Sequence, residues 1–361
     1  MSPKPNAILE QQAIKAVGGT ALKIVKICVV GAGRAGAVHA YNFRHNVPEA
    51  TLTALVDANI DAALKLGTDL GVQSCFPTLE DALSQVEFDA VCVATPTFTH
   101  ASLALTAAEA GKHIFCEKPI SLTLDEADRM IEATRKAKVC FQMGFMRRFD
   151  PVFTIAKERI DAGVIGEPLM IRSLTRGPGL PPPWACRLSS SNGLLAEVNS
   201  HDFDTIRWLS GSEFQRIYAE AGNLKSPQLK AEYPDFYDNA VVTFRMENGT
   251  LAIVDGSCPA EYGYDARAEV LGKRGVMLIG ELQDRSVLIC TKEQGVTSSN
   301  FSGWRERFRQ AYLEEVRHFV ECISSGQKPK VTGEDGRKAL EGVLAANRSI
   351  FTHQPVSLPL S

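Results

Sequence analysis

Two short segments of the 361-residue chain carry side chains suited to moving a proton. In the first, Glu117-Lys118-Pro119 follows the apolar run His113–Cys116. Proline disfavours helical backbone at the residue before it, so Lys118 is expected to be extended and aimed outward from the end of that run. A partly desolvated amine placed there can exchange a proton with a hydroxyl. The second segment runs from Asn192 to Leu209 and holds Glu197, His201, Asp204 and Trp208. Helical throughout, it would put Glu197, His201 and Trp208 near one face and make Asp204 an i+3 neighbour of His201. A carboxylate beside an imidazole fixes its tautomer and stabilises its protonated form. Lys118, His201 and Glu197 are therefore the candidate catalytic residues, with Glu197 and Asp204 orienting His201 or holding neighbouring hydroxyls.

A third segment points to a nucleotide. Gly31-Ala32-Gly33-Arg34-Ala35-Gly36 follows the apolar run ending at Val30 and opens a helical pattern. Glycines there permit a tight turn and the close approach of a pyrophosphate, whose charge is met by amides at the helix N-terminus. Asp57 closes the next apolar run. An acid at that place accepts hydrogen bonds from the adenine-ribose hydroxyls and repels a 2′-phosphate, so NAD is expected over NADP.

The elements that must position these groups follow from periodicity. Ile24–Val30, Thr51–Val56, Ala90–Ala94, His113–Cys116 and Val139–Phe145 are nearly continuous in apolar residues, as strands covered on both faces are. Helical patterns lie between them near Ala35–Arg44, Ala58–Leu70, Phe98–Ala110 and Leu124–Lys136, the last with Ser121 and Thr123 as candidate caps. The alternation predicts an α/β fold with a doubly wound parallel sheet. Beyond residue 150 come shorter runs, and Asn248-Gly249 supplies a two-residue hairpin turn between Asn239–Arg245 and Thr250–Gly256. A second, α+β domain with a large, mostly antiparallel open sheet is expected there. Helices are legible at His201–Trp208 and over Phe308, Tyr312, Val316, Phe319, Val320 and Ile323. The expected organisation is an arm over 1–22, a nucleotide domain over 23–145, and a substrate-binding and oligomerisation domain over 146–361.

Composition narrows the partners. Lys+Arg total 39 against 42 Asp+Glu, so no polycationic surface invites nucleic acid or an anionic membrane. Nine cysteines without a Cys-x-x-Cys pair suit thiols of a reducing compartment rather than disulfides or zinc, and no metal is expected. The first 25 residues lack a signal-peptide core and no membrane span is evident, so the expected location is the cytoplasm.

The sequence resembles the oxidoreductase family named for glucose-fructose oxidoreductase, inositol dehydrogenase and the rhizopine-catabolism protein, over about residues 24–350. The likeness rests on the glycine segment with His39, Ala94-Thr95-Pro96-Thr97 with His100, Glu117-Lys118-Pro119, Gly144–Pro151 and His201–Trp208. The resemblance implies that Lys118 and His201 act in proton transfer on a sugar or cyclic polyol. It also implies that Thr95, Pro96, His100, Glu117 and Arg147 lie near the dinucleotide, and that the open sheet forms a homodimer or homotetramer. Family members usually carry Asp four residues and often Gly two residues before the catalytic histidine, where this chain has Glu197 and Asn199. Candidate substrate contacts are Lys118, Arg147, Trp184, Glu197, Asn199 and His201, with Trp184 a platform for a sugar ring or an aglycone. The leading expectation is NAD-dependent oxidation of a secondary hydroxyl of a cyclic polyol or sugar. A glycoside 3-dehydrogenase or sugar oxidoreductase that retains its cofactor, and a non-catalytic NAD or sugar sensor, stand beside it.

Overall fold

The computed structural model describes residues 24–360, so the arm expected at 1–22 lies outside the described residues. The first half alternates β1 Val25–Val30, α1 Arg34–His45, β2 Ala50–Val56, α2 Ile60–Leu70, β3 Cys75–Phe76, α3 Leu79–Gln85, β4 Ala90–Val93, α4 His100–Glu109, β5 His113–Glu117, α5 Leu124–Ala137 and β6 Phe141–Gly144. Its six strands lie parallel in the order β3-β2-β1-β4-β5-β6. Both faces of the sheet are covered, which is why these strands are mostly apolar. Cys28, Val30, Val91 and Val93 face one core; Ile27, Val29, Cys92 and Phe115 face another. Thr123, one of the two candidate caps, caps α5 and Glu126 reciprocates in a capping box.

The second half holds α6 Pro151–Asp161, β7 Pro168–Arg176, α7 Leu188–Ser191, α8 Gly193–Glu197, α9 Ser200–Ser210, β8 Phe214–Gly222, β9 Asn239–Met246 and β10 Leu251–Ser257. It continues through β11 Asp265–Gly272, β12 Gly275–Ile279, β13 Gln283–Thr291, β14 Gly295–Asn300, α10 Trp304–Arg307, α11 Arg309–Ser325, α12 Gly333–Thr352 and β15 Val356–Ser357. Seven strands form a sheet in the order β12-β11-β7-β10-β9-β8-β15, antiparallel except for the β7–β10 pair. Strand β9 alternates buried and exposed residues, so one face packs and the other stays open. Gly249 takes the left-handed backbone (φ 90°) that the β9–β10 turn needs, but the turn spans three residues, 247–249, between the paired Met246 and Thr250, where two were expected.

Three features depart from the sequence reading. The helix drawn from Asn192 to Leu209 is two pieces, α8 and α9, with a break at Val198 and Asn199 between them. Helix α11 returns to the first sheet, where Val316, Phe319 and Val320 complete the core beneath Ile27 and Phe115. Helices α6 and α12 and the β13–β14 hairpin were not anticipated. Glycine disfavours a helix, yet Gly342 of α12 is needed: a Cβ there would lie 2.7 Å from the Phe214 ring and 2.9 Å from that of Phe203. Among the described residues no helix is long and apolar enough to cross a membrane.

Candidate active site

The sheet order reverses between β1 and β4, and the segments leaving the carboxyl ends of β1, β4 and β5 gather at that point. Ligands bind at such a crevice. A cavity of about 530 Å³ opens there, bounded by Gly33, Thr95, Pro96 and Lys118 from the first half and by Trp184, Glu197 and His201 from the second. The two candidate proton carriers thus share one cavity.

Lys118 leaves β5 beside a cis Lys118–Pro119 peptide, and its Nζ donates to the backbone carbonyl of Glu197 at 2.7 Å. The carboxylate of Glu197 does something else: Oε1 accepts from the Thr97 hydroxyl at 2.7 Å. Burial raises the Glu197 carboxyl above its ordinary range, partly offset by Lys118. His201 is 6% exposed and stands edge-on to Phe145. Burial, with the positive charges of Lys118 and Arg147, holds its pKa well below 6.5. A neutral imidazole facing a cavity is a proton acceptor.

Behind Lys118 lies a buried network. Glu117 Oε1 contacts His39 Nε2 at 2.7 Å and Oε2 accepts the Lys118 amide at 3.1 Å. Burial would raise the Glu117 carboxyl, but His39 and Lys118 outweigh it and hold it below its ordinary range. Glu315, fully buried on α11, has no hydrogen-bond partner on either carboxyl oxygen among the described residues. Burial and the nearby Glu117 charge push its pKa well up. This network ties α1, β5 and α11 together under the lysine.

The structure redirects several residues singled out from sequence. Asp204 does not reach His201; it pairs with Arg148, whose Nε donates at 2.8 Å. Because α8 and α9 are separate helices, Glu197 does not bond to the imidazole either, and His201 Nδ1 is buried with no hydrogen-bond partner among the described residues. Arg147 is 1% exposed and lies behind the cavity wall rather than on it. It is held by Asp202 at 2.8 Å, Ser173 at 3.1 Å and Thr175, because a buried guanidinium needs a carboxylate close by. Asn199 is also fully buried and absent from the wall, donating to Asp202 at 2.8 Å. His100 braces the site from outside, its ring nitrogens 2.8 Å from the Pro119 carbonyl and 2.9 Å from that of Thr95. Burial lowers its pKa. Thr97, Tyr264, Trp304 and Tyr312 line the cavity but were missed. Tyr312 sat on a helical stripe that reads as core, and only the fold distinguishes the two.

The nucleotide segment fits a dinucleotide. A Cβ on Gly31 would lie 2.4 Å from the Ala94 carbonyl oxygen and one on Gly36 only 1.7 Å from that of Gly31, so both glycines are packing requirements. Gly33 faces open space, caps α1 with extended backbone and has no side-chain cap. Gly33, Arg34 and Ala35 line the cavity, leaving the first amides of α1 to meet a pyrophosphate. Asp57, beyond β2, accepts the Ala32 amide at 2.7 Å and the Asn59 amide at 2.8 Å, which sets it beside that loop.

Residues 25–145 match the profile described as the oxidoreductase family, NAD-binding Rossmann fold, and residues 153–278 match the GFO/IDH/MocA C-terminal domain. The chain belongs to the GFO/IDH/MocA oxidoreductase family. Within that family it is 37% identical to a myo-inositol 2-dehydrogenase of Thermotoga maritima over 92% of this chain and 98% of the relative. It is 36% identical to a scyllo-inositol 2-dehydrogenase (NAD(+)) of Bacillus subtilis, over 92% and 96%. The crystal structure of scyllo-inositol dehydrogenase from Lactobacillus casei with NAD(H) and scyllo-inositol superposes with a TM-score of 0.85 at 29% identity, covering 93% of this chain and 99% of that one. This GFO/IDH/MocA member is accordingly an NAD-dependent oxidoreductase.

Proposed function

We propose that the protein oxidises a secondary hydroxyl of a cyclic polyol or sugar, in the manner of the inositol 2-dehydrogenases it resembles. The observation that carries this reading is the shared cavity of Lys118 and His201, beside Gly33, Arg34 and Ala35 at the start of α1. NAD, held by the glycine segment, Thr95 and Pro96 with Asp57 at the ribose, supplies the hydride acceptor. Lys118 and His201 share removal of the hydroxyl proton. Lys118, anchored by the Glu197 carbonyl, hydrogen-bonds the carbinol oxygen, and neutral His201 accepts the proton. Glu197, fixed by Thr97, holds an adjacent hydroxyl. Residues 23–145 form the nucleotide domain in this reading and 146–361 the substrate domain.

The same reading makes the protein a homodimer or homotetramer. Val241, Leu251, Leu271, Val276 and Leu278 are exposed on β9 to β12, and apolar patches of that kind mark interfaces. Absorbance at 340 nm with NAD and a panel of inositols, sugars and glycosides tests the reaction. NADH formed with a polyol supports it; binding of NAD and polyol without NADH would instead identify a sensor.

A further inference from the structure

The cavity has two chemically unlike ends. One holds Lys118, His201, Glu197 and Thr97, all side chains that can meet hydroxyls. The other is walled by Pro178, Gly179, Leu180, Pro181, Pro182 and Trp184, the loop between β7 and α7. Leu180 is 46% exposed, so this end faces the mouth.

The loop offers a polyol few partners. Pro178, Pro181, Pro182 and Pro183 have no amide hydrogen to donate. Five of its carbonyls are engaged by protein groups. The Gly177 carbonyl takes the Ala260 amide, and that of Pro182 takes the Ala185 amide. The carbonyls of Gly179, Pro181 and Trp184 accept from Cys258, Cys186 and Ser190. With these carbonyls committed, the wall here is largely proline rings, the Leu180 side chain and an indole. Phe98, 49% exposed, meets Trp184 edge-on with ring centroids 6.1 Å apart. A ring bearing hydroxyls all round would lose more hydration here than the loop returns.

We infer that the preferred substrate is a hydroxylated ring carrying an aromatic substituent through an ether or glycosidic oxygen. Its ring hydroxyls meet Lys118, His201 and Glu197, and its substituent lies on Trp184 and the proline face of residues 178–182. This rests on the dehydrogenase reading above and specifies its substrate class. Burying a phenyl group on such a surface is worth at least about tenfold in affinity.

Matched pairs test it: methyl against phenyl β-D-glucoside, and myo-inositol against its mono-O-benzyl ethers. Calorimetric binding in the presence of NAD, and kcat/KM at 340 nm where turnover occurs, are measured for each pair. The aromatic member of at least one pair should win by tenfold or more, and Trp184→Ala should bring that ratio toward one. Equal binding within every pair, or a ratio unchanged in Trp184→Ala, overturns the inference even if simple polyols are oxidised. Tight aromatic binding that yields no NADH supports the subsite and overturns only the dehydrogenase reading.

Discussion

The ammonium of Lys118 and the backbone carbonyl of Glu197 meet at 2.7 Å across the cavity, although the residues are 79 positions apart. One comes from the end of a strand in the first sheet and the other from the last turn of α8, so the contact fixes the lysine relative to His201 four residues on. Removing either proton carrier should therefore disable chemistry rather than cofactor binding. Lys118→Ala and His201→Ala should each lower kcat at least about 100-fold. Titration of the variants with NAD should give a Kd close to that of the parent protein. Parent-like turnover in either variant would reject the assigned role.

His201 also makes stability depend on pH in a definite direction. Burial, then Lys118 and Arg147, keep its folded-state pKa well below 6.5. As pH falls through the unfolded-state value, the unfolded chain takes up a proton that the folded one refuses. Stability is thus unaffected by this group above about pH 6.5 and declines below it, until the folded pKa is reached. Urea midpoints at pH 7.5 and pH 5 should fall less in His201→Asn than in the parent, and an equal fall would contradict the neutral imidazole.

Arg147 separates a structural role from the cofactor role expected from sequence. Its guanidinium is paired with Asp202 in the interior. Arg147→Met leaves that carboxylate without its charge partner and should cost about 3–5 kcal/mol in denaturant unfolding. The Kd for NAD should stay nearly constant. A large loss of NAD affinity without loss of stability would return the residue to the cofactor site.

Asn199, one of the two departures from the family pattern, is accommodated by Gly256. A Cβ at Gly256 would fall 2.2 Å from Asn199 Oδ1. Gly256→Ala should destabilise by about 1–3 kcal/mol through overpacking. In an Asn199→Gly background the same substitution should cost much less, the signature of a coupled pair in a double-mutant cycle. Equal costs in the two backgrounds would show that the positions are independent.

The sequence alone determined the nucleotide half and the place of Lys118. Those signals are local: an apolar strand, a glycine turn and a helix start lie within one stretch of chain, and a proline one residue on constrains Lys118 backbone. The same holds for the hairpin at Asn248-Gly249 and the cap at Thr123. Only the tertiary structure decided which charge pairs with which. Arg148 takes Asp204 from 56 positions away and Arg147 takes Asp202 from 55, leaving His201 without either acid. A two-residue break at Val198 and Asn199 turns the sides of α8 and α9 apart, and helical spacing cannot foresee it. The apolar character of the 177–184 loop likewise depends on partners such as Cys258 and Ala260 that arrive from β10 and beyond. Buried polar groups take whichever partner the packing brings within reach, and that is set by the whole fold rather than by neighbouring letters.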